Sequence, residues 1–191
     1  MRFLSIATLF LCFAAPVSAE IYPIKEGDVF CIGYDKTSNS CSSVQTVKIV
    51  DEGKYLILDL AGFAFGETRL DMIASMEAIE TEGKICLAPG TINIAITPKE
   101  AAIAEGWQNL MQYQLDDLAS QGYCFEHRKC SDTWATIAWV AGEERRDLSA
   151  TFEVFEADDP KSETAQPRYL NIQEQDKAQK ELEDKCFGKE A

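Results

Sequence analysis

Basic side chains are scarce in this chain. Across 191 residues, 18 Lys and Arg stand against 32 Asp and Glu, and the net charge is −14. Binding to nucleic acid needs clustered cations that displace counterions from phosphates, so nucleic acid is excluded as the expected partner. Adsorption to an anionic membrane surface is excluded on the same ground. Histidine is rarer still: His127 is the only one, so any histidine-dependent chemistry would have to use it. No C-x-x-C pair, G-x-S-x-G elbow, glycine-rich phosphate loop or D-x-[DN]-x-[DN]-G calcium loop occurs, which removes the common redox, acyl-transfer, nucleotide and calcium readings. After residue 19 no stretch is apolar enough to span a bilayer, so no membrane span is expected in the mature chain.

The first 19 residues are different in kind. Arg2 supplies a positive end, Phe3 to Val17 is largely apolar, and Val17-Ser18-Ala19 provides a cleavage site, so residues 1–19 are read as a secretory signal peptide removed after Ala19. Its loss takes the net charge from −14 to −15 and removes one of seven cysteines, Cys12. Cys31, Cys41, Cys86, Cys124, Cys130 and Cys186 remain, an even set that an exported protein would oxidise to three disulfides. The expected location is periplasmic or extracellular. Loop economy favours Cys31–Cys41 and Cys124–Cys130, leaving Cys86 with Cys186, while a rival scheme joins Cys86 to Cys124. A zinc site at Cys124, His127 and Cys130 is not expected, because structural zinc favours cysteine pairs two to four residues apart.

The mature chain, 20–191, is read as one exported domain. Val29 to Tyr34, Val44 to Val50 and Tyr55 to Leu60 have strand character, with Leu56, Leu58 and Leu60 sharing a face. Leu70, Met72, Ala74, Met76 and Ala78 alternate, which favours a strand that turns at Glu82-Gly83-Lys84. Thr97-Pro98-Lys99-Glu100 resembles a capped helix start, and Ala101 to Leu118 recur at helical spacing, predicting a helix over 98–121. Cys130-Ser131 and the strand after it echo Cys41-Ser42 and its strand, suggesting sub-repeats 28–96 and 123–187. Residues 157–168 read as an exposed loop and Asn171 to Lys185 as a polar helix.

The fold class expected is therefore α+β: two disulfide-tethered antiparallel β-units, with a helix after each, in two layers. His127, among Glu126, Arg128 and Lys129, is read as a residue of a solvated disulfide loop. Trp139 is assigned to the core with Ile137, Trp107 to the helix–sheet contact, and Trp134 is the candidate binding contact. No catalytic residue, cofactor or metal is expected. Function is read as a non-enzymatic exported binding or interaction module, for an unknown protein or small ligand, basic in character if the surface steers it. The alternative is a carboxylate-dependent hydrolase of cell-envelope material, which needs two converging acids with one desolvated.

Overall fold

Strand-forming segments fill most of 29–97 and 124–155, on either side of one helix, and in the computed structural model they become one sheet with antiparallel neighbours. The structure describes residues 20–99, 102–131, 133–156, 158–170, 180 and 182–187. The expected signal peptide and most of the expected helix at 171–185 lie outside these residues.

Strand β1 (Val29–Ile32) is followed by the short β2 (Ser40–Cys41) and by β3 (Ser43–Asp51), β4 (Lys54–Phe65), β5 (Thr68–Thr81), β6 (Lys84–Leu87) and β7 (Asn93–Thr97). After helix α1 (Ala104–Ser120) come β8 (Cys124–Cys130), β9 (Thr133–Val140) and β10 (Glu143–Phe155). Neighbours pair in the order β4-β3-β1-β10-β9-β8-β6-β5, and β5 pairs back onto β4. These strands therefore form a closed ring, an up-and-down barrel that leaves no free edge around its circumference. Strand β7 adds to the remaining length of β5, from Asp71 opposite Thr97 to Ser75 opposite Asn93. The strands thus enclose one interior, instead of the two separate β-units expected.

Turn chemistry sets the register. Glu82 and Gly83 both have positive φ between Thr81 and Lys84, which face each other, and Ala141-Gly142 repeats this between Val140 and Glu143. Two-residue turns of this kind match the twist of the strands they join. Alternation then decides the faces. Leu70, Met72, Ala74, Met76 and Ala78 of β5 are all buried, as expected of a strand. On β4, however, Ile57 and Ala61 point inward, while Leu58 stays 42% exposed and Leu60 lies on the outer face with it. The leucines share a face, but not the one that fills the core.

Helix α1 starts at Ala104, not at Pro98, because Thr97 is committed to β7 by its pairing with Asp71. Trp107 packs edge-on against Phe63 and Phe65, with ring centroids 5.4 and 5.0 Å away. Gln112 Nε2 donates to the Ile92 carbonyl at 2.8 Å, fastening the middle of the helix to the chain before β7. Beyond the barrel, residues 158–168 carry more regular structure than the loop expected. Asp159 caps a short helix α2 (Pro160–Thr164), and β11 (Gln166–Pro167) pairs with β2. Strand β12 (Tyr169–Leu170) then lies parallel to β4, where Gly62 admits the Tyr169 ring, since a Cβ at Gly62 would meet it at 3.0 Å.

The disulfides are Cys31–Cys41, Cys86–Cys124 and Cys130–Cys186. The expected Cys124–Cys130 link is overturned by geometry. Both residues belong to β8, and six residues of strand span about 20 Å, well beyond the reach of about 7 Å for a disulfide. Cys86 instead faces Cys124 across the β6–β8 pairing, so the expected Cys86–Cys186 link is also overturned. The third bridge holds a C-terminal turn of π-helix (Glu183–Phe187) on the outside of the barrel. There Leu182, fully buried, covers Ala135 and Ile137, with Trp139 beside them. Trp139 and Ile137 do pack together, but outside the barrel. Peptide mapping of the unreduced protein should recover these three pairs, and a Cys124–Cys130 peptide would contradict the β8 strand.

Candidate functional site

The barrel interior is not uniformly apolar. Around a cavity of about 200 Å³, Ile57, Met76, Leu87 and Phe125 come from the strands, and Leu115 and Leu118 from α1. Gln45, Asp59, Tyr123 and Thr136 supply the polar part of the same wall. Each is placed by register: Asp59 of β4 lies between Gln45 of β3 and Ala74 of β5, on the inward face shared with Ile57.

Asp59 is the chemical centre of this arrangement. Asp59 is half-buried, its Oδ1 is closed off from solvent, and it lines the cavity. Burial raises its pKa to about 6, against the opposing pull of Gln45 and Ser43. Its Oδ1 has no hydrogen-bond partner among the described residues, and neither has Thr136 Oγ1. No Lys, Arg or His side chain lines the cavity among those residues. The Tyr123 phenol is pushed up to about 12, first by burial and then by the charge of Asp59. A buried carboxylate without a counter-charge is costly, and such groups are normally paired.

The segment between β6 and β8 closes the cavity. It leaves the barrel at Cys86 and returns at Cys124, and the disulfide between them cinches its base. The Leu87 N–H donates to the Tyr123 carbonyl at 3.0 Å just inside that link. Leu115, Leu118 and Tyr123 are all carried by this excursion, so part of the cavity wall hangs on one disulfide-bounded loop.

Other residues singled out from the sequence fall elsewhere. Trp134 faces inward on β9, half-buried, edge-on to Tyr22 at 5.3 Å and stacked on Phe152 at 6.5 Å, but it is not part of the cavity wall. His127 is not in a solvated loop. Strand β8 alternates, so Phe125 and His127 point in while Glu126 and Arg128 pair with each other outside. The His127 ring sits 4.5 Å from Phe30, 4.7 Å from Phe152 and 5.5 Å from Phe125, and burial lowers its pKa to about 3. Asp116-Asp117, Glu143-Glu144 and Asp158-Asp159 lie outside the cavity wall. Asp59 escapes a sequence reading that follows the leucines of β4. The available signal was one acid within Leu56-Ile57-Leu58-Asp59-Leu60, on the face opposite those leucines.

Fold and site together define a closed antiparallel barrel with a disulfide-anchored helical cap over an interior cavity of mixed polarity. Three disulfides are typical of exported proteins, and among the described residues no helix is long and apolar enough to cross a membrane. No protein-family model matches the chain, and no curated protein matches it in sequence.

Proposed function

We propose that the protein is an exported, non-enzymatic binding module that holds a small ligand inside the barrel. The observation that carries this reading is the cavity wall itself: seven apolar side chains and a few convergent polar ones, two with unpartnered atoms. That is the composition of small-molecule sites, which also favour the interiors and mouths of barrels. The volume suits a compact molecule, since an apolar protein cavity of about 150 Å³ already accepts benzene. A carboxylate-dependent hydrolase would need a second acid across from Asp59, whereas Asp59 is the one carboxylate among the residues of the wall.

A neutral aromatic probe tests the reading. Titrating benzyl alcohol into the oxidised protein should give saturable NMR shifts centred on Leu115, Tyr123 and Phe125, with a Kd of about 1 mM or tighter. Leu118→Trp, which fills the cavity from the α1 side, should abolish them. Absence of saturation, or shifts unaffected by Leu118→Trp, would remove the cavity as the site.

A further inference from the structure

From the Asp59 carboxylate, which has no counter-charge among the described residues of a mostly apolar cavity wall, we infer that the ligand is a small organic cation, a protonated amine on a compact apolar body. This rests on the cavity being the binding site and specifies what it selects. Asp59 lines the cavity half-buried, with Oδ1 buried and without a hydrogen-bond partner, and Thr136 Oγ1 on the same wall is likewise without one. The hydroxyls of Thr136 and Tyr123 and the Gln45 amide can donate as well as accept, so what the wall lacks is a charge to balance the Asp59 carboxylate. An ammonium group supplies up to three N–H donors and the missing charge, whereas a neutral alcohol supplies one donor and no charge. An anion would be repelled by Asp59 in a low-dielectric setting where repulsion is strong.

A metal ion fits the same site poorly. One carboxylate, two hydroxyls and one amide amid leucine, isoleucine and phenylalanine fall short of the six to eight oxygens calcium takes, and among the described residues no group of three His, Cys, Asp or Glu side chains is placed to hold a metal ion. The apolar side chains call for hydrocarbon next to the charge. The chain's surplus of acids works in the same direction at long range, raising the local concentration of cations at the entrance.

Three isosteric probes separate the terms: benzylamine, protonated at neutral pH, benzyl alcohol and benzoate. Benzylamine should bind at least about tenfold more tightly than benzyl alcohol, as expected of a hydrogen bond to a charged group, and benzoate should not bind. Asp59→Asn keeps the shape of the side chain and removes its charge. It should erase the preference for benzylamine, so that on this variant the amine and the alcohol bind within about twofold of each other. The preference should survive about 0.5 M salt, because a buried pair is little screened. Equal binding of amine and alcohol by the unsubstituted protein would overturn the inference and leave the cavity reading intact. A preference that survives Asp59→Asn but collapses in salt would assign it to the acidic surface and overturn the role of Asp59. Failure of both neutral and cationic probes to bind would remove the cavity reading, and this inference with it.

Discussion

Removing the Cys86–Cys124 bridge with the double substitution Cys86→Ala/Cys124→Ala is expected to cost about 4 kcal/mol of unfolding free energy. The bridge closes a loop of 38 residues, and cross-linking so long a loop removes much of the entropy of the unfolded chain. The same treatment of Cys31–Cys41, which are 10 residues apart, should cost about 1 kcal/mol less. Urea unfolding of the two variants side by side gives the order. The reverse order would mean that the loop-closure argument misses native strain or residual structure in the unfolded chain. Local position adds a second consequence. The 87–123 excursion carries Leu115, Leu118 and Tyr123, so loosening its base should weaken benzyl alcohol binding even at temperatures where the barrel stays folded. The Cys31–Cys41 variant lies away from that wall and should retain binding.

His127→Leu is expected to stabilise the protein by about 1–3 kcal/mol, the usual cost of an unsatisfied buried polar group. The ring is 3% exposed, surrounded by phenylalanines, and neither nitrogen has a partner among the described residues. Leucine has nearly the same volume and no polar atom to desolvate, so little repacking is required. The pH dependence follows from two opposed groups. His127 titrates at about 6.5 when unfolded and about 3 when folded, so the unfolded chain takes up a proton first. Its contribution to stability is present above pH 6.5 and is lost as pH falls toward 3. Asp59 runs the other way: with its folded pKa raised to about 6 from 3.8, the folded protein takes up the proton first, and its contribution grows as pH falls from 6 to 3.8. In that window the two slopes oppose each other. His127→Leu should therefore make the protein gain stability on mild acidification relative to the unsubstituted chain, and Asp59→Asn should make it lose stability. Thermal unfolding at pH 4, 5, 6 and 7 checks the pair. A stability profile unchanged by His127→Leu would show that the imidazole finds a partner or water in the folded state.

Much of the β framework was legible because it is local. The alternation from Leu70 to Ala78, the Glu82-Gly83 turn and the Cys31–Cys41 link each depend on neighbouring residues. The start of α1 was misread because Thr97-Pro98-Lys99-Glu100 carries the residue types of a helix cap, yet Thr97 is claimed by pairing with a strand more than 20 residues earlier. A local preference of about 1 kcal/mol yields to a tertiary contact of that kind. His127 was misread for a related reason. Charged neighbours suggest a wet loop in a linear sequence, but in a strand the neighbours face the opposite side and say little about the residue between them.

By itself, then, the sequence determined the acidity, the even set of six cysteines after the first 19 residues, and the periodicity that makes strands and one long helix. These follow from composition and from contacts a few residues apart. The closure of the ring by β1 on β10, the choice of Cys124 as the partner of Cys86, the inward face of β4 and the gathering of Asp59 and Thr136 in one cavity wall were decided only by the tertiary structure. Each depends on which of two alternating faces turns inward when the barrel closes. A strand's pattern names its two faces, and only its partners across the ring decide which one is dry.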